Sequence, residues 1–80
     1  MKTHDALRAV QLELLRAQAR FEPFASTHEG FALIHEEVDE LWDAVKSNES
    51  PERLAAEAIQ VAAMALRFIT DLEGMTDKRR

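Results

Sequence analysis

Leu54-Ala55-Ala56-Glu57-Ala58-Ile59-Gln60-Val61-Ala62-Ala63-Met64-Ala65-Leu66 is a run of good helix formers in which only Glu57 and Gln60 interrupt the apolar character. Wound at ~100° per residue and extended through Phe68, Ile69 and Leu72, it leaves little polar circumference. A helix of this kind needs cover on several sides. Ser50 suits its N-cap, Pro51 its first position, and Gly74 is placed as its C′ residue, which predicts a helix over about 51–73.

Upstream, the turn-like Ser47-Asn48-Glu49-Ser50-Pro51 separates this helix from another predicted over about 27–46. Ser26 is its expected cap, with Glu29 three residues on reaching back in a capping-box arrangement, although Gly30 weakens the first turn. Phe31, Ile34, Val38, Leu41, Trp42 and Val45 fall on one face, with Glu29, Glu36, Glu40 and Asp43 on the other. A first helix over about 3–20 carries the stripe Leu7, Val10, Leu14, Ala17 and Phe21, with Thr3 as its expected cap. Pro23 then pushes Glu22 out of the helical region. The fold class is therefore all-α, with three helices. Two helices cannot cover a third that is apolar nearly all round, so a homodimer or homotetramer is expected, with Ala62, Ala63 and Ala65 permitting close approach.

A chain of 80 residues makes a single domain, 1–80. Its formal charge of -5 supplies no basic field for phosphate contacts, so nucleic acid is not an expected partner. The absence of cysteine excludes a disulfide framework and thiolate chemistry, leaving the cytoplasm as the expected compartment. The charge-free stretch Ala58 to Leu66 is far below the ~20 apolar residues that span a bilayer, so no membrane partner is expected. Met1 to Arg8 contains Asp5 and precedes no long apolar core, which argues against a signal peptide. The Lys78-Arg79-Arg80 tail is expected to fray.

Two pairs of residues carry the chemistry. Glu37 and Glu40 stand at i and i+3, so both carboxylates can reach one hard cation, and Glu57 and Gln60 repeat that spacing on the next helix. Acids buried on facing helices are costly unless a cation or a charged partner offsets them. A bland reading stands beside this one: Glu36, Glu37, Asp39 and Glu40 form a solvated helix face, while Glu57 and Gln60 find an interhelical hydrogen bond or a salt bridge to Arg67.

The run His28-Glu29-Gly30-Phe31-Ala32-Leu33-Ile34-His35-Glu36-Glu37-Val38-Asp39-Glu40-Leu41-Trp42, followed by Glu57-Ala58-Ile59-Gln60-Val61-Ala62-Ala63-Met64-Ala65, resembles the MazG-like all-α nucleoside triphosphate pyrophosphohydrolases. The likeness covers about half the chain. It implies an ExxE pair on one helix, matched by Glu37 and Glu40, and an ExxD pair on the next, of which Glu57 matches the first acid. These would hold Mg²⁺, or Mn²⁺ in its place, on a nucleoside triphosphate that is cleaved to monophosphate and pyrophosphate. The chain departs from the pattern at Gln60, where an amide oxygen can ligate but brings no charge. Two rival readings follow: a relative that binds nucleotide with little turnover, and a purely structural helical interaction protein. Under the hydrolase reading, Glu36 could orient the attacking water. Lys46, Arg53 and Arg67 are the expected phosphate contacts, and Phe24 and His28 the expected base contacts.

Overall fold

The structure, a computed structural model, describes residues 1–75, and the C-terminal Lys78-Arg79-Arg80 expectation lies outside them. Helix α1 spans Thr3–Arg20, α2 spans Thr27–Lys46 and α3 spans Pro51–Asp71, with a single 3₁₀ turn over Leu72–Gly74. Every regular element among the described residues is helical, as the periodicity requires. Central to the arrangement is α3, with α2 on one side and α1 on another. Gln18 Nε2 donates to Thr70 Oγ1 at 3.4 Å, and Arg67 reaches the carbonyl of Glu22, so α1 and α3 run in the same direction. The four residues between α2 and α3 turn the chain back, making these two an antiparallel hairpin.

Local chemistry sets the helix ends. Ser26 Oγ accepts from the Glu29 amide at 3.1 Å, and Ser50 Oγ accepts from the Arg53 amide at 3.2 Å, with Pro51 opening α3 as expected. Glu29 does reach back, but its carboxylate takes the amide of Ala25 at 2.7 Å, in the linker ahead of the cap residue. After α2, Asn48 adopts φ 59°, the Asn48 amide donates to Val45 O and the Glu49 amide to Ala44 O, which is a Schellman closure. Two end assignments are corrected. Thr3 is already helical, and Lys2 precedes it without a side-chain cap. Gly74 has no positive φ: α3 stops at Asp71, whose carboxylate is held sideways by the Phe24 amide at 3.0 Å, and the chain tightens into the 3₁₀ turn that buries Met75.

The packed face of α2 is rotated from the one expected. Gly30 and Ala44 are buried and Leu33, Ile34, Glu37 and Leu41 half-buried, whereas Phe31, Val38, Trp42 and Val45 stay exposed. Gly30, Glu37 and Ala44 repeat every seven residues, and the small members let α3 come close. At Gly30 a Cβ would stand 2.5 Å from Phe68 Cδ1 and 3.2 Å from Phe24 Cδ2. The residue that weakens the first turn is the one that admits both rings. Gly30→Ala is expected to lower stability by about 1–2 kcal/mol in urea unfolding, because overpacking outweighs the helix propensity that alanine adds. A variant as stable as the wild type would show that Phe68 yields freely.

On α1, Val10, Leu14 and Ala17 are half-buried against α3, while Leu7 and Phe21, at the ends of the expected stripe, are exposed. Leu66, Ile69 and Leu72 also face outward on the side of α3 and its 3₁₀ turn that neither neighbour covers. No helix among the described residues is long and apolar enough to cross a membrane.

Candidate metal centre

The rotation of α2 brings Glu37 onto the packed face, and the i, i+3 spacing sets Glu40 beside it at the edge. Across the hairpin, Glu57 is buried in the first half of α3. One carboxylate oxygen from each of Glu37, Glu40 and Glu57 lies within 4.8 Å of the other two. Three hard oxygen donors converging from two helices match the chemistry of a small divalent cation. The same three acids are mutually repulsive as they stand, and Arg53 tempers this by donating from Nε to Glu57 Oε2 at 2.9 Å. Glu57 thus has a charged partner, but it is Arg53 one turn earlier and not Arg67.

Burial pushes the Glu37 carboxyl above the ordinary glutamate value of 4.5, and the charges of Glu40, Glu57, Glu36 and Glu13 push it further in that direction. The folded chain therefore holds a proton on Glu37 at pH values where the unfolded chain has released it. This contribution to stability is fully present below the ordinary glutamate range and is lost as pH rises through the raised value. Glu37→Gln, neutral throughout, removes that loss. In the presence of chelator, the difference in unfolding free energy between variant and wild type should grow in favour of the variant as pH rises, then level off. A difference that stays flat from about pH 4 to about pH 8 would place Glu37 in ordinary solvent.

The acidic cluster sits between two hollows. Glu40 and Arg53 border a small one of about 270 Å³ with Asp43 and Glu49, whereas Glu37 and Gln60 stand at one end of a groove of about 430 Å³. Each helix contributes a stripe to this groove at helical spacing. From α1 come Glu13, Arg16, Ala17 and Arg20; from α2, Glu29, Leu33 and Glu37; from α3, Gln60, Met64 and Arg67. Phe21, Glu22, Pro23 and Phe24 close the far end.

The remaining sequence-derived candidates disperse around this geometry. Glu36 is exposed and does not line the groove, though its charge acts on Glu37. Lys46 lies at the end of α2, 3.6 Å from Asp43 and 5.6 Å from the Trp42 ring centre. Arg53 is on the other side of the cluster. Arg67 lines the groove but is committed: it donates to Glu22 O at 2.7 Å, its Nε is 3.7 Å from Asp71, and it lies 4.1 Å from the Phe24 ring centre. Phe24 is only 2% exposed, which leaves little ring for a base, and the exposed ring beside it is Phe21. His28 borders a separate hollow with Phe31, Phe68 and Leu72.

Sequence reasoning passed over Glu13, Arg16 and Arg20. Their i, i+3, i+7 spacing marks one face of α1, but only the docking of α1 on α3 turns that face toward Glu37. No family model, curated protein or solved structure matches the chain, so the site stands on its own geometry.

Proposed function

We propose that the protein is a Mg²⁺-dependent nucleoside triphosphate pyrophosphohydrolase of the MazG-like kind. The observation that carries this reading is the convergence of Glu37, Glu40 and Glu57 from two antiparallel helices, at the spacing of the resembling acidic motifs. These three carboxylates hold the ion, and Gln60, one turn beyond Glu57 and at the same end of the groove as Glu37, adds a neutral oxygen donor. Mg²⁺, or Mn²⁺ in its place, supplies charge neutralisation for the polyphosphate and a water of lowered pKa. The groove adjoining Glu37 takes the nucleotide. Water oxygen bonds to the α-phosphorus, the α–β bridging oxygen leaves with pyrophosphate, and the proton passes to a carboxylate at the Glu37 end of the groove.

Screening ribo- and deoxynucleoside triphosphates for pyrophosphate release with Mg²⁺ and with Mn²⁺ tests this directly. Release of pyrophosphate and nucleoside monophosphate in equal amounts is expected. Nucleotide binding without release would favour a binding relative in which the uncharged Gln60 has weakened the site. No metal response at all would favour a structural protein, a reading to which the Arg53–Glu57 pair lends weight because it partners Glu57 without an ion.

The same proposal includes self-association. Phe31, Trp42, Ile69 and Leu7 are each more than half exposed in the single chain, and the fully buried hydrophobic residues among the described ones are few. A second copy that covers these faces completes the core. Sedimentation is expected to give a dimer or tetramer, and a folded monomer at micromolar concentration would refute this part of the reading.

A further inference from the structure

The cations that sequence reasoning offered to a polyphosphate are occupied elsewhere, but the groove has two others. Arg16 and Arg20 stand one turn apart on the wall formed by α1, both exposed, with Glu37 at one end of the groove and Phe21 at the other. Side chains four residues apart on a helix are neighbours, so the two guanidiniums form one patch. Each has only a light engagement. Arg16 meets Glu13 at 3.3 Å, with side chains 73% and 21% exposed, so the guanidinium itself stays largely solvated and gives up the pair at little cost. Arg20 lies 5.4 Å from the ring centre of Phe21.

We propose that Arg16 and Arg20 hold the anionic chain of the nucleotide along the α1 wall of the groove, an assignment that rests on the nucleotide-hydrolase reading above. Guanidinium forks match phosphate oxygens in pairs, and exchanging the weak Glu13 contact for phosphate costs Arg16 little. Arg67 cannot play this part without surrendering the Glu22 carbonyl and Asp71. Glu13, Glu22, Glu29 and Glu37 border the same groove and repel phosphate, so the grip operates only when a divalent cation offsets part of the ligand's charge. Helix one thereby supplies ligand contacts to a metal centre built wholly on the other two helices.

The test is calorimetric titration of the full chain with α,β-methylene-ATP and, separately, with inorganic tripolyphosphate, both in Mg²⁺. Arg16→Gln and Arg20→Gln are each expected to weaken both probes by about tenfold, while the rise in melting temperature with Mg²⁺ alone stays as in the wild type. Arg8→Gln, on the same helix and outside the groove, is the control and should bind like the wild type. If the wild type binds the probes and both arginine variants bind them equally well, the assignment is overturned while the hydrolase reading survives. If the wild type binds neither probe, both fall together.

Discussion

Under the proposed function, Mg²⁺ is expected to raise the melting temperature of the wild type, and Glu37→Gln, Glu40→Gln and Glu57→Gln are each expected to abolish that rise and to cut pyrophosphate release about 100-fold or more. Ion at ~100 times its Kd adds ~2.7 kcal/mol to the folded state. For a domain of this size each kcal/mol moves the midpoint by ~4–8 °C, so the lost increment is about 10–20 °C. The 100-fold in rate corresponds to ~2.7 kcal/mol of transition-state stabilisation. With chelator present the order reverses, because removing one of three crowded charges relieves repulsion, and each variant should then be at least as stable as the wild type. Glu57→Gln also frees Arg53, whose side chain is 60% exposed and loses little by returning to water. Calorimetry with Mg²⁺ and with chelator reads both effects. A Mg²⁺ response that persists in all three variants would remove the proposed centre.

The second large effect is at Arg67. Its side chain and that of Asp71 are 6% and 11% exposed, the guanidinium covers the Phe24 ring, and the Asp71 carboxylate in turn accepts from the Phe24 amide. Arg67→Leu leaves a carboxylate in poor solvent without its cation, which typically costs ~3–5 kcal/mol. At ~0.05–0.15 kcal/mol per residue a chain of 80 residues has roughly 4–12 kcal/mol to lose, and the sparse buried core among the described residues puts this one at the low end. The variant should therefore be largely unfolded near room temperature by circular dichroism. Adding Asp71→Asn should recover much of the loss, because the asparagine side-chain oxygen can still accept from the Phe24 amide without bringing a charge. An Arg67→Leu protein within about 1 kcal/mol of the wild type would show that α1 and the linker are held by apolar contact alone.

The sequence carried the three helices well and the way they pack poorly. Capping residues and the Gly/Pro punctuation act locally, so Ser26, Ser50 and Pro51 announced their helix starts. The approach of Glu37, Glu40 and Glu57 was legible for a similar reason, since a short turn forces α2 and α3 to face each other. The direction in which α2 faces was not. Hydrophobicity alone favours the Phe31, Val38, Trp42 stripe, but the shape of α3 selects the narrower Gly30, Glu37, Ala44 stripe, where Phe68 and Phe24 can fit against a glycine. The i, i+4 spacing of Arg67 and Asp71 made their pairing legible, but the other partners of Arg67, Glu22 and Phe24, come from a linker whose path only tertiary packing determines.

The Asn48 turn has a kinetic meaning. Glu40 and Glu57 are 17 residues apart in the chain, and the left-handed asparagine between them makes their meeting a short-range event. Closing so small a loop takes well under a microsecond, whereas α1 meets α3 through pairs such as Gln18 and Thr70, 52 residues apart in the chain. The acidic trio is thus expected to assemble on the nascent hairpin before the groove has its third wall, an order that pulsed hydrogen exchange during refolding would read. A divalent ion in the refolding buffer would meet its ligands early and speed folding as well as slow unfolding. Under the proposed function, the chain would complete its candidate metal centre first and its nucleotide groove last.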